Sequence, residues 1–153
     1  MHKPFYASGF LYNQKTGQIL LLQSQPTDDS SPAWSMLGGE GREGEDAMIT
    51  FQRVVLEFLK IDLKIKRILP IYDYFHEGLD KINYVFYAEV GKALNFSPLK
   101  DYIPVWIRFD ETLKLLFASK TQQDIIVGER VINAKQRDIE ALKINANVFP
   151  PSG

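Results

Sequence analysis

The sequence predicts an α+β domain in which helices pack in layers against a β-sheet, and three observations support this class. β-forming and helical stretches follow in the order hairpin, short strand, helix, strands and helices. The clearest helical stretch carries apolar side chains on one face only. No linker or internal repeat divides the 153 residues, so a single domain over residues 1–153 is expected.

The first part of the chain predicts a β-hairpin followed by a loop. The run PFYASGFLYN reads as a strand, NQKTGQ as a turn, and QILLLQS as the returning strand. QPTDDSSPA is a polar loop by its proline, aspartate and serine content. WSML is a short apolar segment that leads into a group of glycines.

Residues 46 to 60 form the first predicted helix. Asp46 is suited to cap its N-terminus, where an acid also complements the helix dipole. The apolar positions follow i, i+3, i+4, i+7 spacing and are Phe51, Val54, Val55 and Phe58. This stripe predicts one buried helix face.

The second half of the chain predicts further strands and then helices. INYVFYAEV is dense in β-formers and reads as a central strand, while Pro104 places YIPVWIRF at an edge or bulge. DETLKLLF reads as a short helix capped by Asp110. A longer helix follows over residues 121–143, and residues 145–153 are expected to form a frayed tail.

The apolar residues of that longer helix are available for burial. They are Ile125, Ile126, Val131, Ile132, Ile139 and Leu142.

Composition excludes several classes of function. The chain is 45% hydrophobic and 24% charged with a net charge of −1, so neither nucleic acid nor an anionic membrane is an expected partner. The absence of cysteine rules out disulfides, thiol catalysis and Cys-ligated zinc. The chain shows no apolar run of signal-peptide or membrane-span length. A cytoplasmic location is therefore expected.

The glycines at positions 39, 41 and 44 match the dinucleotide-binding pattern G-x-G-x-x-G. The same loop also carries four acids, Glu40, Glu43, Glu45 and Asp46. A pyrophosphate cradle needs low negative charge, and a hairpin rather than a βαβ unit precedes these glycines, so we reject the dinucleotide-binding interpretation. A plain glycine turn before a helix is the simpler alternative.

The stretch LGGEGREGEDAMITFQRVVLEFLKI resembles the Nudix box of MutT-like hydrolases. That box is a glycine, five residues, a glutamate, seven residues, and then Arg-Glu-apolar-x-Glu-Glu-x-Gly-apolar. The matching positions are Gly39, Glu45, Arg53, Val55, Glu57 and Ile61. The leading hairpin and the later strands are also similar to a Nudix domain in order and spacing. The resemblance implies an α/β/α sandwich around a mixed β-sheet.

The box is degenerate in this sequence. Val54 and Phe58 stand where the family has glutamates, and Lys60 replaces the glycine. We expect Val54 and Phe58 to lie on a vestigial catalytic face, partly apart from the core. The periodicity also permits the opposite arrangement, in which both are buried.

The resemblance implies Mg²⁺- or Mn²⁺-dependent hydrolysis of a nucleoside diphosphate derivative, a nucleotide-type small molecule. It implies catalytic roles for Glu57, Arg53 and Glu45 and metal ligation by Glu57 and Gly39, with Glu43 as a loop acid that could substitute for a missing ligand. Substrate contacts are expected at His76 and Tyr74, which lie in an aromatic stretch, and at Glu111, which lies where family members often place a further ligand or base. Ordinary alternatives are a solvated Arg53, an exposed helix acid at Glu57, a surface His76 and a helix-capping Glu111.

Two functions are therefore open. The first is a slow hydrolase that uses Glu57 with loop acids, and the second is an inactive Nudix-fold module that binds a nucleotide or a partner. Nudix domains often pair, so a homodimer is compatible with either.

Overall fold

The computed structural model of the chain describes residues 3–25, 32–92 and 94–148. Most of the predicted polar loop, residues 26–31, and the end of the predicted tail, residues 149–153, lie outside the described residues. The elements are β1 Phe5–Asn13, β2 Gln18–Ser24, β3 Trp34–Ser35, β4 Leu37–Glu40, α1 Ala47–Leu59, a 3-10 turn Ile65–Arg67, β5 Ile68–His76, β6 Lys81–Val90, β7 Tyr102–Arg108, α2 Phe109–Thr112 and α3 Ser119–Val148.

Seven strands of the described residues form one mixed sheet with the path β3-β2-β1-β6-β5. β1 and β2 form the predicted antiparallel hairpin, and β6 lies parallel to β1 on its other edge. β6 is thus an interior strand, as its apolar sequence predicts. β4 pairs with the first half of β1, and β7 pairs with β2. In this part of the chain β7 has a partner on one edge only, which agrees with the edge predicted from Pro104.

The sheet is covered on both faces, which makes the domain an α/β/α sandwich. Along β2, Leu20 and Leu22 join the apolar cluster under α1, whereas Ile19 and Leu21 join the cluster under α3. Burial on both faces explains why QILLLQS is a continuous apolar run rather than an alternating one.

α1 is held on the sheet by its apolar stripe. Phe51, Val54, Val55 and Leu59 are all buried in the cluster between α1 and the sheet. Burial of each such side chain stabilises the fold by about 1.5–3 kcal/mol, an upper figure because the unfolded chain already buries some apolar surface. Of the predicted stripe, Phe51, Val54 and Val55 are therefore buried and Phe58 is half-buried, which is close to the alternative that the periodicity permits.

The prediction for the last helix is correct only in its first half. Ile125 and Ile132 are buried, but Ile139 and Leu142 are 42% and 68% exposed. Positions 136–144 are exposed throughout, so the helix extends beyond the surface that covers its first half. The backbone of residues 145–148 continues this helix, where the sequence predicts the start of a tail.

α2 also differs from its prediction. It is a single turn, and its N-cap residue is Arg108 rather than Asp110. Asp110 lies in the first turn and pairs with Arg108 Nε at 3.1 Å. None of the helices in the described residues is both long and apolar enough to cross a membrane.

Candidate functional site

Residues 39–46, called the glycine loop below, comprise the end of β4 and the turn that leads to α1. Gly39 pairs with Ala7 of β1, which fixes the start of the loop on the sheet. Gly44 has φ +84°, a left-handed conformation that favours glycine. Asp46 accepts the Ile49 N–H at 2.8 Å, so the predicted N-cap of α1 is confirmed. Both ends of the loop are therefore anchored.

Arg53 of α1 holds the loop from the helix side. Its Nε donates to Glu45 Oε2 at 2.7 Å, and its Nη2 donates to Glu45 Oε1 at 3.0 Å. Nη2 also donates to the Glu40 carbonyl oxygen at 2.8 Å. Nη1 lies 3.4 Å from both carboxylate oxygens of Glu57. Arg53 thus pairs with both Glu45 and Glu57, and its side chain is only 17% exposed, so it is not the solvated arginine of the alternative interpretation.

Glu45 is enclosed by donors. Besides Arg53, it accepts the Arg42 N–H at 2.9 Å and the Thr50 hydroxyl at 3.0 Å. The hydrogen bond from Arg53 lowers the pKa of Glu45 to about 2, against the opposing effect of burial. A carboxylate of this acidity is a poor general base near neutral pH. Its hydrogen bonds instead tie the glycine loop to α1.

The other acids of this region face cations or solvent. Glu57 is 47% exposed in its side chain and lies 3.3 Å from Arg42 Nη2. Glu40 forms an ion pair with Lys81 at 2.7 Å, and the hydrogen bond from Lys81 lowers the pKa of Glu40. Glu43 is exposed in the loop.

Val54 contradicts its prediction, because it belongs to the core. It is 1% exposed and packs in the cluster between α1 and the sheet. A Cβ added to Gly39 would lie 2.8 Å from Val54 Cγ2, so Val54 fills the space directly against that glycine. Phe58 is half-buried and packs against the same cluster. An apolar stripe that includes position 54 turns this face of the helix toward the sheet.

Mg²⁺ or Mn²⁺ does not fit the side chains of this face. Hard cations need several oxygen ligands. Glu57 offers a carboxylate, but the guanidinium groups of Arg42 and Arg53 flank it, while Val54 and Phe58 offer no oxygen. Across the described residues, no group of three or more His, Cys, Asp or Glu side chains could hold a metal ion.

A polar cavity of about 180 Å³ lies on the opposite face of the sheet, between the strands and the start of α3. Ser8 and Asn83 come from adjacent strands, and Asp124 comes from the helix. The residues that line it are Tyr6, Ser8, Ser35, Met36, His76, Leu79, Asn83, Thr121 and Asp124.

A network of hydrogen bonds converges on Asp124, which is 2% exposed. Tyr72 Oη donates to Asp124 Oδ1 at 2.6 Å, and Tyr74 Oη donates to Oδ2 at 3.0 Å. Asn83 Nδ2 in turn donates to Tyr74 Oη at 3.3 Å, while the Ser8 hydroxyl donates to Asn83 Oδ1 at 2.9 Å. The cavity is therefore built around a carboxylate held in place by two phenols.

Burial shifts the acidity of these groups. It raises the pKa of Asp124, an effect that the hydrogen bonds from Tyr72 and Tyr74 oppose. Burial also raises the pKa of Tyr74 to about 12. Both phenols therefore stay protonated near neutral pH and remain donors to the carboxylate.

Of the residues predicted to contact substrate, His76 lines this cavity, whereas Tyr74 is not among the lining residues and reaches the cavity only through its hydrogen bonds with Asp124 and Asn83. The rings of His76 and Tyr74 stack with centroids 6.0 Å apart, and Lys120 Nζ lies 5.6 Å from the centre of the Tyr74 ring. His76 Nδ1 accepts the Leu79 N–H at 3.1 Å, which leaves Nε2 as the protonated nitrogen of the neutral ring.

Glu111, the third residue predicted to contact substrate, is not among the residues that line the cavity. Its carboxylate accepts the Arg108 N–H at 3.2 Å in a capping box at the start of α2. The structure thus shows the capping contact that the sequence offers as an alternative.

Sequence reasoning missed Asp124, Asn83 and Ser8. A weak signal was available, since Asn83 interrupts a run of β-formers and Asp124 precedes the apolar pair of α3. A polar residue inside an apolar element is costly to bury unless it is hydrogen-bonded, and for that reason it can mark a site.

Comparison with solved structures identifies the fold. The chain is similar to the E. coli ORF135 protein, with 18% identity, a TM-score of 0.65, and coverage of 88% of this chain and 94% of that one. It is also similar to an Ap4A hydrolase of C. elegans, at 15% identity, a TM-score of 0.64, and coverage of 84% and 98%. A NUDIX hydrolase from Nitrosomonas europaea shows 14% identity, a TM-score of 0.57, and coverage of 84% and 90%.

No protein-family model and no curated protein sequence matches the chain. The structural similarity shows that the chain has a Nudix-type fold, an α/β/α sandwich around a mixed sheet, which confirms the predicted fold class.

Proposed function

We propose that the chain is a Nudix-fold protein that binds a nucleotide-type small molecule and does not sustain metal-dependent pyrophosphate hydrolysis at its glycine loop. The observation that carries this proposal is Val54, a buried aliphatic side chain packed against Gly39 where the family box has a carboxylate.

Loss of hydrolysis follows from the charge of the glycine-loop face. Metal ions in phosphoryl chemistry neutralise the oxyanions and acidify the attacking water. Here the acids predicted to serve them are engaged otherwise: Glu45 is clamped by Arg53, and Glu57 lies between Arg42 and Arg53. Of the other predicted ligands, Gly39 lies in β4 and has no side chain to offer, and Glu43 lies in the exposed part of the loop.

Ligand binding is supported by the cavity beside α3. Its volume of about 180 Å³ is below the roughly 300–1,000 Å³ of pockets that hold drug-sized ligands, so only part of a nucleotide would be enclosed. A buried carboxylate with fixed partners gives the few convergent polar groups that mark a binding site. In this proposal His76 contacts the ligand, whereas Tyr74 acts indirectly by positioning Asp124.

The alternative is a slow hydrolase that depends on Glu57. The half-exposed carboxylate of Glu57 on α1 favours it, because this acid is the one helix glutamate of the box that the sequence retains. In that case Arg53 and Glu45 would position Glu57, and a divalent metal would supply the remaining charge neutralisation.

One experiment separates the two functions. The protein is incubated with a panel of nucleoside diphosphate derivatives, with and without Mg²⁺ or Mn²⁺, and monophosphate release is measured beside equilibrium binding. We expect binding without metal-dependent release. Release that requires metal and is lost in Glu57→Gln, but kept in the control Glu140→Gln at an exposed position of α3, would establish the hydrolase instead.

A further inference from the structure

A groove of about 300 Å³ lies at the opposite end of β1 from the glycine loop. It forms between the segment that follows α1 and the turn that follows β6. Val90 lines it and pairs with Asn13 at the end of β1, whereas the glycine loop begins beside Ala7 near the start of that strand. The intervening strand spans about 20 Å, so the groove is separate from the glycine loop.

Three exposed cations line the groove, and they are Lys64, Arg67 and Lys92. Lys64 and Arg67 are three residues apart around the 3-10 turn, where residues at this spacing lie on one side. The Arg67 N–H donates to the Lys64 carbonyl oxygen at 2.9 Å, which fixes their separation. Lys92 comes from the other wall, the turn after β6. Within the described part of the chain, none of the three side chains takes part in an ion pair or a hydrogen bond, so their charge is available to a ligand.

The acids of the groove do not cancel this charge. Glu89 has both carboxylate oxygens occupied, because Oε1 accepts from Lys135 Nζ at 2.7 Å and Oε2 accepts from Gln14 Nε2 at 2.7 Å. Its charge is therefore already paired with a cation that is not among the lining residues. Asp62, the other acid of the lining, is exposed to solvent. Three cations thus face one solvated carboxylate, and the groove carries a net positive charge.

The floor of the groove is apolar and is fixed to the rest of the domain. Leu63 is 6% exposed, and its carbonyl oxygen accepts from Gln52 Nε2 of α1 at 2.6 Å. Val90 packs against the same apolar cluster as Leu63. Leu94 is 41% exposed, and its carbonyl oxygen accepts from Trp106 Nε1 of β7 at 2.7 Å. Both walls are therefore anchored, and an apolar surface lies between the cations.

We propose that this groove is a second binding site, which takes a small organic phosphate. The three cations bind the phosphate group, and the apolar body of the ligand lies on the leucines. A guanidinium group such as that of Arg67 matches two phosphate oxygens in a bidentate contact, and the lysines add point charges. A phosphate dianion compensates more of the positive charge than a single carboxylate does. The groove shares no lining residue with the cavity around Asp124, so this inference is independent of the proposed function.

The test uses phenyl phosphate, inorganic phosphate and phenol as probes, titrated into the unmodified protein by calorimetry. Low ionic strength and a pH of about 8 keep the phosphate groups dianionic and the charges unscreened. We expect phenyl phosphate to bind with a dissociation constant of about 1 mM or tighter. Inorganic phosphate should bind about 3- to 10-fold more weakly, because it does not cover the apolar floor. Phenol, which lacks the charge, should show no measurable binding.

Variants then assign the binding to the groove. Arg67→Gln and Lys92→Gln each remove one charge, from opposite walls, and each should weaken phenyl phosphate binding about tenfold. Lys66→Gln is the matched control, because Lys66 is exposed in the same 3-10 turn but does not line the groove. It should change the affinity by less than about twofold. All three positions are exposed, so the variants should keep the fold, which circular dichroism checks.

A further variant, Arg42→Gln, shows whether the probe binds at the glycine loop instead. Loss of binding in Arg42→Gln, with none in Arg67→Gln and Lys92→Gln, would place the anion at that loop and overturn this inference. An equal loss in Lys66→Gln would show general attraction to a basic surface and would overturn it too. The same holds if phenyl phosphate does not bind at concentrations up to about 10 mM. Nucleotide binding at the cavity around Asp124 is measured separately, so its failure would leave the groove unaffected.

Discussion

The Glu45 carboxylate makes the stability of this domain sensitive to acid. Its pKa is lowered from 4.5 to about 2 in the folded chain, chiefly by the hydrogen bond from Arg53. Folding therefore favours the ionised form, and this contribution is fully present above the unfolded pKa. It is lost as the pH falls from about 4.5 toward 2.

Glu45→Gln should lower the free energy of unfolding at neutral pH by about 1–3 kcal/mol, because it removes charged hydrogen bonds to Arg53 and to the loop. The difference from the unmodified protein should shrink as the pH falls below about 4.5. Urea unfolding across that pH range measures both effects. Glu43→Gln, in the same loop but exposed, serves as control with a change within about 0.5 kcal/mol. A pH-independent difference would show that the clamp is not electrostatic.

Val54→Glu tests whether the position that aligns with a glutamate of the Nudix box belongs to the core. A carboxylate placed there would be buried against Gly39 without a partner, at a cost of several kcal/mol out of a total stability of about 5–15 kcal/mol. We expect a largely unfolded protein by circular dichroism, with no recovery when Mg²⁺ is added. Phe58→Glu, at a half-buried position, should be milder. A folded Val54→Glu variant that Mg²⁺ stabilises would restore the vestigial-site interpretation.

At the scale of elements, the C-terminus of α1 carries avoidable backbone strain. Lys60 caps the helix with φ 60° and ψ 30°, a left-handed conformation that costs a non-glycine residue about 1–2 kcal/mol. Lys60→Gly should stabilise the domain by about 0.5–1 kcal/mol, after the added entropy of the unfolded chain is deducted. Thermal unfolding measures the gain. Lys64→Gly, at an exposed residue with extended backbone, should bring no gain.

Elements with local signals were predictable from the sequence. The β1–β2 hairpin, the capped α1 and the interior strand β6 follow from turn residues, helical spacing and β-former density. The second half of α3 was not predictable in its burial, because periodicity at Ile139 and Leu142 marks a face without showing how far the sheet extends. The α2 cap was missed because Arg108 is not a residue type that favours this position.

The candidate site, like the fold, was predictable from the sequence only where its residues are close along the chain. The contact of Arg53 with Glu45 was predictable, because the helix and its preceding loop are close in sequence and the two residues match the spacing of the Nudix box. The cavity around Asp124 was not, because Ser8, Asn83 and Asp124 meet only through the parallel pairing of β1 with β6 and the packing of α3. His76 and Tyr74 were named as ligand contacts without the buried acid that organises them.

For the whole molecule, the expected response to divalent metal is small. A site limited to Glu57 should bind Mg²⁺ near millimolar or more weakly, at most about 4 kcal/mol of binding energy. With Mg²⁺ at a concentration equal to such a dissociation constant, stabilisation is only about 0.4 kcal/mol. The melting temperature should therefore be nearly unchanged when Mg²⁺ is added at about 1 mM, the dissociation constant expected for such a weak site. Ca²⁺ at the same concentration serves as the comparison. A micromolar site found by calorimetry would contradict this and direct attention to the loop acids.

The parallel pairing of β1 with β6 also sets an order of events during synthesis. β1 finds its hairpin partner β2 as soon as both leave the ribosome, but its other edge pairs with Ile82 through Val90, far later in the chain. Contacts of such sequence separation carry a high loop-closure cost and form slowly. Until β6 emerges, the nascent chain presents an apolar strand edge, the kind of surface that recruits other chains. Fragments that end before residue 81 should for this reason associate with one another, whereas the full-length chain closes that edge within itself.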